Sequence, residues 1–433
     1  MLDARETCSG ATGRNGGHIK CTPFEAYHES KKRFGAAAAK KITEFQTSHL
    51  KILVDLAKRE KWPLAEAREV ETLDVFYDAE EFEEWKDMVA EFRTDCPDDA
   101  RGIEIWEAEI AREKWKVGPH ALGAMSYTAG AIWPYRFVVS CLDSLLKQYP
   151  EQFSIDSYTA VEEISVTRNP ERPYVVHTSR GDVLARHVIH ATNAHTANLV
   201  PGLRGKLFPV RGTMSAQRPG KGFPDLKGDR SWCLINEHGY EYITQRPGKV
   251  DSVDSMGGEI MNGGAMVQSG HKGLGEFGIA SDAATNYLAS CHLSGVLPMA
   301  FGAENWGADA DGGRVKSIWS GSLGLTADMM PFVGRLETSL TGRVPVRSDS
   351  SNRSTTKPGE WVSAGYNGEG MVNAYLCGVA LGLMAVGRED AVQFTSKTPG
   401  IPNGRLEDWF VPEYLCTQER VTYASVYQLL ESR

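Results

Sequence analysis

Two glycine-rich segments carry the residue types that hold an anionic cofactor. The first is Ser9-Gly10-Ala11-Thr12-Gly13-Arg14-Asn15-Gly16-Gly17. Its glycines permit close backbone approach, because no side chain obstructs it. Successive amides bind anionic oxygens, while Ser9, Thr12 and Asn15 add side-chain partners and Arg14 offsets charge. The second segment is Gly365-Tyr366-Asn367-Gly368-Glu369-Gly370-Met371, set between a strand pattern and an expected helix. A helix N-terminus offers free amides and partial positive charge, so this turn favours negative charge on a bound group. Asp3 precedes the first loop. In a dinucleotide-binding βαβ unit an acidic residue about 20 positions after the first glycines takes the ribose hydroxyls, and Asp3 is placed for that role. Only Met1 and Leu2 precede it, so the strand and phosphate-binding glycine turn expected there are not in this sequence.

A third set is Tyr240, Tyr242 and Arg246. Spacings of two and four on one predicted strand put them on one face. Tyr and Arg there bind a carboxylate by charge-assisted hydrogen bonds, or else form a solvent-facing stripe. Trp133 and Tyr135 either wall a pocket or belong to the core. No Ser/His/Asp triad or metal cluster has usable spacing.

The elements that must position these residues read as follows. Residues 25 to 61 have helical spacing, with Phe34, Ile42, Phe45, Leu50, Ile52, Leu53 and Leu56 recurring at threes and fours. Stretches 79–93 and 108–116 read as charged surface helices, and 136–147 as another helix. Alternation from Phe153 to Val176, a turn at Gly181-Asp182 and the run from Val183 to Ala194 predict strands ending in a central one. Trp232 to Ile235, Tyr240 to Thr244 and Glu259 to Val267 read as one antiparallel sheet. Residues 342 to 359 lack apolar periodicity and read as a mobile surface loop. Trp361 to Ala364 is a short strand, a long buried helix follows from Met371, and 406 to 433 read as helical packing.

Four segments together resemble the D-amino-acid-oxidase-like family of FAD-dependent oxidoreductases. They are the Ser9 to Gly17 loop; Val188 to Ala194 with Pro201 and Pro209-Val210-Arg211-Gly212; Trp319-Ser320-Gly321 with Thr326, Asp328, Pro331 and Gly334; and the Gly365 to Met371 turn. Their order spans nearly the whole chain. The branch they look closest to oxidises amines and amino acids, as gamma-glutamylputrescine oxidase does. The resemblance implies FAD against Asp3, Ser9, Gly10, Thr12, Arg14, Asn15, Gly16, Gly17, Ala191, Thr192, Asn193, Asp328, Gly365, Asn367, Gly368, Gly370 and Met371. The backbone near Val161 would lie against adenine, and the sheet with Tyr242 and Arg246 would roof the flavin. The glycine turn would stabilise charge on the reduced ring. Covalent attachment needs a Cys or His at the ring edge; no Cys lies in 319–334 or 365–371, and His18 reads as structural, so the flavin is expected to be non-covalent.

The fold class that follows is α/β. A Rossmann-like FAD-binding domain, its first strand missing, is expected over 1–35, 136–200 and 316–433, with an antiparallel-sheet substrate domain over 36–135 and 201–315. A net charge of −9 argues against nucleic acid as a main partner. Eight irregularly spaced cysteines and no basic-then-apolar leader point to a cytoplasmic protein with reduced thiols. The longest apolar run, 372 to 386, is shorter than the roughly 20 residues of a membrane span. The expected partner is a small-molecule amine or amino acid; the oligomeric state is left open. The expected function is hydride transfer from that substrate to flavin. The alternatives are a non-catalytic flavin-fold scaffold or trafficking partner, or an incomplete gene product. Without the first strand and its glycine turn, the main pyrophosphate site, the chain is expected to hold FAD poorly.

Overall fold

The computed structural model describes residues 1–236, 239–248, 257–346, 356–390 and 400–426. The chain opens with a one-turn helix, α1 (Ala11–Arg14), and a short strand, β1 (His18–Ile19). Helices α2 (Pro23–Phe34) and α3 (Ala36–Arg59) follow where one continuous helical stretch is expected; the break is at Gly35. Along α3, Ala39, Ile42, Phe45, Gln46, His49, Leu53 and Leu56 are buried, the three-and-four spacing of a core-facing stripe. Next come β2 (Arg68–Phe76), α4 (Ala79–Asp95), β3 (Glu104–Glu107), α5 (Ala108–Trp115), β4 (Gly123–Ala131) and α6 (Pro134–Gln148).

The expected strand series resolves into β5 (Val161–Val166), β6 (Tyr174–Thr178), β7 (Gly181–Ala185) and β8 (His187–His190). Gly181 already pairs with Thr178, so the turn falls on Ser179-Arg180 rather than Gly181-Asp182. The run from Val183 to Ala194 is not one strand either. Its first half pairs with β6 and its second half joins another sheet, so the hydrogen-bonding partner changes near Arg186. The remaining strands are β9 (Leu207–Gln217), β10 (Arg230–Asn236), β11 (Gly239–Gln245), β12 (Ile260–Gly264), β13 (Val315–Thr326), β14 (Phe332–Arg335) and β15 (Gly359–Ala364). Two long helices complete the frame, α7 (Tyr287–Phe301) and α8 (Ala374–Ala385). A tight turn at Gly370–Val372 precedes α8, which therefore starts three residues later than expected. Residues 347–355 of the expected surface loop and 427–433 of the expected C-terminal helix lie outside the described residues.

The large sheet runs β1-β4-β2-β10-β11-β12-β9-β13, with β3 on β4. It is mixed rather than antiparallel throughout, because β10 pairs with β2 in parallel. Strand β13 pairs with β9 along its length, so the large sheet reaches past the expected division at 315/316. Alternation sends Leu73, Val75, Trp232, Leu234, Ile243 and Ile260 to one face, where α5 and α7 bury them. The other face is covered at one end by Phe24, Tyr27, Phe82, Trp85 and Phe92 from α2 and α4, packed on Phe76, Met125 and Ile235. Each such aromatic contributes roughly 1.5–3 kcal/mol by leaving water. A second sheet places β15 between antiparallel β14 and parallel β8. Among the described residues no strand pairs with the outer edge of β8. Strands β5 to β7 form a third, antiparallel sheet, beside which Leu2 bridges Asp156.

Candidate active site

Strand β13 is where the distant segments meet. At its middle, Arg14 donates from Nη1 to the Ser320 carbonyl at 2.8 Å, while Trp319 donates from Nε1 to the Arg14 carbonyl at 2.7 Å. Toward its end, the Asn367 amide donates to the Gly324 carbonyl at 2.9 Å. The Asn367 side-chain oxygen accepts from the Thr326 amide at 2.8 Å and its hydroxyl at 3.2 Å. Asn193, just beyond β8, accepts the Gly365 amide at 2.8 Å. The first loop and the turn after β15 are thus tied to one strand by hydrogen bonds, and the turn after β8 is tied to the turn after β15.

Within the first loop the residues divide by role. Asn15 locks the loop on itself: Nδ2 donates to the carbonyls of Ala11 and Thr12, and Oδ1 accepts the Gly17 amide at 2.9 Å. Gly16 lies under the sheet, where an added Cβ would sit 2.8 Å from Met214 Cε and 3.0 Å from the Tyr242 ring. Gly17 has φ of +70°, and a Cβ there would fall 1.9 Å from the Ile132 carbonyl oxygen. Both glycines are therefore required by packing of the loop against its own protein. Arg14, expected from sequence to offset cofactor charge, is engaged by the protein instead: Nε donates to the Ser9 carbonyl at 2.8 Å and pairs with Asp282 at 3.2 Å. Ser9 keeps a buried hydroxyl with no partner. Gly10 caps α1 and Thr12 lies within it.

The other expected contacts are placed as follows. Asp3 accepts the Arg5 amide on its side chain, and its carbonyl accepts the Thr159 amide, which sets it beside the segment leading to Val161. Ala191 and Thr192 follow β8 directly, with Thr192 hydrogen-bonded to Thr196. Gly368 has φ of +88° and nothing within 4 Å of an added Cβ. Gly370 opens the tight turn before α8, and Met371 packs on the cluster holding Leu53 and Val372. Asp328 stands apart from this set, since both its oxygens are taken by Arg420, at 2.6 and 3.0 Å.

The large sheet presents Tyr240, Tyr242 and Thr244 on one face of β11, with Arg246 directly after the strand, and Thr244 donates to the Gly16 carbonyl at 2.9 Å. Arg246 does not wait for a substrate carboxylate. Its fork is filled by Glu66, at 2.6 and 3.2 Å, and by Glu259 at 3.0 Å. It also stacks on Trp133, which lies between Arg246 at 4.1 Å and Arg136 at 3.6 Å. Trp133 is thus a platform for two guanidiniums. Tyr135 is partly exposed, with its ring edge 3.4 Å from a Cβ built on Gly13. Burial pushes the Tyr242 phenol up to about 12 and moves Tyr240 the same way. Tyr240 nevertheless has 58% of its surface accessible. Both facts hold if it faces a cleft walled by protein rather than open solvent.

Sequence reasoning missed the charged groups of that cleft. Fully buried Asp74 on β2 accepts from Lys20 and, at 2.6 Å, from the Tyr127 hydroxyl. Glu25 lies in the first turn of α2 and Glu369 in the glycine turn. Burial, with repulsion from Glu369, pushes Glu25 up to about 7 despite Lys20. Surrounding protein also raises Glu369, although its surface is exposed and the Gln46 amide donates to it at 3.2 Å. His18 is held neutral by burial and by Lys20, and its Nε2 is shielded and unpartnered. Two of these had a signal in the sequence: an Asp inside the apolar run Leu73-Asp74-Val75, and an acid inside a glycine turn. Glu25 had none, because an acid in a first helical turn is ordinary.

Residues 1–382 match the family described as DAO, FAD dependent oxidoreductase. The chain belongs to that family. Solved structures of DAO-like fold resemble it at low identity. Glycine oxidase from Geobacillus kaustophilus superposes with TM-score 0.63 at 16% identity, covering 92% of this chain and 90% of its own. Iminodiacetate oxidase from Chelativorans sp. BNC1 gives 0.61 at 13% identity, covering 92% and 91%. NikD, an amino acid oxidase of nikkomycin biosynthesis, gives 0.60 at 14% identity, covering 93% and 90%. Among curated proteins none matches the sequence.

Membership in the DAO family implies FAD, and the residues present fit it. The buried Ser9 hydroxyl has no partner among the described residues and is open to one from a bound group. The open space over Gly368 admits close approach at the turn where a side chain would stand. No helix among the described residues is long and apolar enough to cross a membrane.

Proposed function

We propose that this DAO-family chain removes a hydride from the carbon beside the nitrogen of an amine or amino acid, leaving an imine that hydrolyses, with FAD held non-covalently. When bound, FAD supplies the ring that accepts the hydride. The observation that carries the reading is the joining of the Ser9–Gly17 loop and the Gly365–Met371 turn on β13, beneath the sheet face bearing Tyr240 and Tyr242. The names of the similar structures, glycine oxidase, iminodiacetate oxidase and an amino acid oxidase, support an amine or amino acid as the substrate class.

In this reading Ser9 and the loop amides hold the pyrophosphate, Asp3 the ribose, and the backbone near Val161 the adenine. Asn193 and Asn367 fix the turn whose Gly368 would admit close approach of the ring. Tyr240 and Tyr242 wall the substrate side and exclude water. Non-covalent attachment is supported by the thiols at hand. Burial raises Cys8 to about 11 and Cys21 well above its ordinary value, so neither is a ready nucleophile. The test is anaerobic mixing of the full chain with excess FAD, supplied because among the described residues no strand pairs with the outer edge of β8, and a panel of amines and amino acids. At least one should bleach the flavin. Bleaching by alcohols or α-hydroxy acids alone refutes the assignment.

A further inference from the structure

One carboxylate ties a surface strap to the first loop. We propose that Asp282 is a latch: it holds the strap of residues 278–286 against the Ser9–Gly17 loop by occupying Arg5, and an anionic ligand at that loop releases the strap by taking Arg5 in its place. The ligand class, a phosphate-bearing molecule, rests on the cofactor reading above.

The strap leads from β9 to α7. At one end the Gly278 amide donates to the Pro209 carbonyl at 2.8 Å, and at the other Asn286 caps α7. No residue of 278–286 is buried. Among the described residues, no main-chain amide of 280–286 donates to a main-chain carbonyl. Side chains therefore hold the strap in place. Arg211 Nη1 donates to the Ala284 carbonyl at 3.2 Å, and Asp282 supplies the ties to the first loop. Its two carboxylate oxygens accept from Arg5 Nη1 and Nη2 at 2.8 and 3.0 Å. One of them also pairs with Arg14 Nε at 3.2 Å, and Arg14 Nη1 donates to the Asp282 carbonyl at 3.2 Å. Arg5 lies over the loop itself, with Nη2 3.5 Å from a Cβ built on Gly10.

The two arginines are not equivalent. Arg14 is pinned by the Ser9 and Ser320 carbonyls as well, whereas the Arg5 side chain is 47% exposed and makes both its side-chain hydrogen bonds to Asp282. Water screens such a half-exposed pair, so it exchanges partners readily. A guanidinium fork takes a carboxylate and a phosphate with the same two-bond geometry, so Asp282 occupies Arg5 as two phosphate oxygens would. The charged side chains in contact with the latch are Arg5, Arg14 and Asp3, which accepts the Arg5 amide at 3.1 Å. Further along the strap Arg211 and Glu276 cancel. With Asp282 in place the cluster is neutral; with Asp282 withdrawn it carries one positive charge, which favours an anion. A ligand that binds only the withdrawn arrangement shifts the strap toward it.

The experiment is calorimetric titration of the full chain with inorganic pyrophosphate, beside limited digestion by elastase, which cuts after small residues such as Ala283 and Ala284. Wild type, Asp282→Asn and Arg5→Gln are compared at constant ionic strength. Pyrophosphate should speed cleavage of the wild-type strap at least about threefold. Asp282→Asn should bind pyrophosphate at least about threefold tighter than wild type, and its strap should be cut at the fast rate without ligand. Arg5→Gln should also free the strap but lose the response to pyrophosphate. Arg5 is half exposed, so this variant tests the same contact even if Asp282→Asn fails to fold. Strap cleavage that pyrophosphate leaves unchanged in wild type overturns the proposal. So do binding to Asp282→Asn no tighter than to wild type, slow cleavage of Arg5→Gln, and no pyrophosphate binding by any of the three. FAD affinity is measured separately by fluorescence quenching. FAD that binds while the strap ignores pyrophosphate sinks the latch and leaves the cofactor reading standing. A strap that pyrophosphate opens in a chain that holds no FAD does the reverse.

Discussion

Replacing Glu25 with Gln should stabilise the protein above neutral pH and flatten its response to pH. Burial raises the Glu25 carboxyl from its ordinary 4.5 to about 7, with Glu369, Asp74 and Glu29 adding repulsion and Lys20 opposing. The folded state thus holds this proton more tightly than the unfolded state. The stability it lends is fully present below pH 4.5 and is lost as pH rises through about 7. Roughly 2.5 pH units separate the two states, at about 1.4 kcal/mol each, so the ionised carboxylate costs about 3 kcal/mol at pH 8. Near pH 5 the cost is under about 1 kcal/mol. Gln keeps the shape and removes the charge. For a chain of 433 residues, 3 kcal/mol corresponds to a Tm about 3 °C higher. Urea unfolding of both proteins at pH 5 and pH 8 measures the difference. Wild type should lose roughly 2–3 kcal/mol more than the variant between those pH values. Parallel profiles would refute the reasoning, since they would mean that Glu25 is solvated or paired in the folded state.

Gly17→Ala should destabilise by at least about 3 kcal/mol in thermal unfolding, because the +70° φ and the Ile132 carbonyl leave no room for a methyl group. Gly368→Ala should cost only about 1 kcal/mol of stability yet weaken FAD binding at least tenfold by fluorescence quenching, since its Cβ enters the open space at the turn. Gly278→Ala, with φ of +81° and similarly open surroundings, is the control and should leave FAD affinity unchanged. Asp74→Asn strands the Lys20 ammonium and should cost about 3–5 kcal/mol in urea unfolding. A loss below about 1 kcal/mol would mean that Lys20 reaches solvent.

The two glycine segments were legible in the sequence because their constraints are local. A positive φ or a backbone approach that forbids a Cβ leaves a glycine whatever the rest of the fold does, as at Gly17 and Gly368. Alternation likewise marked β10 and β11, whose inward residues pack a core. Partner choice was less visible. The parallel pairing of β10 with β2 joins residues well over a hundred positions apart, and nothing in either strand specifies which edge it will meet.

Which charges remain free was decided by the tertiary structure alone. Arg14, Arg246 and Asp328 all read as ligand contacts. Each is satisfied by a partner 268, 180 or 92 positions away, namely Asp282, Glu66 and Arg420. Glu25 read as an ordinary acid, yet in the fold burial and nearby carboxylates push its carboxyl up. The physical reason is that ion pairing and desolvation depend on distance through space. The sequence by itself determined where the chain can turn and which faces are apolar; only the assembled fold set which charged groups are paired and which are not.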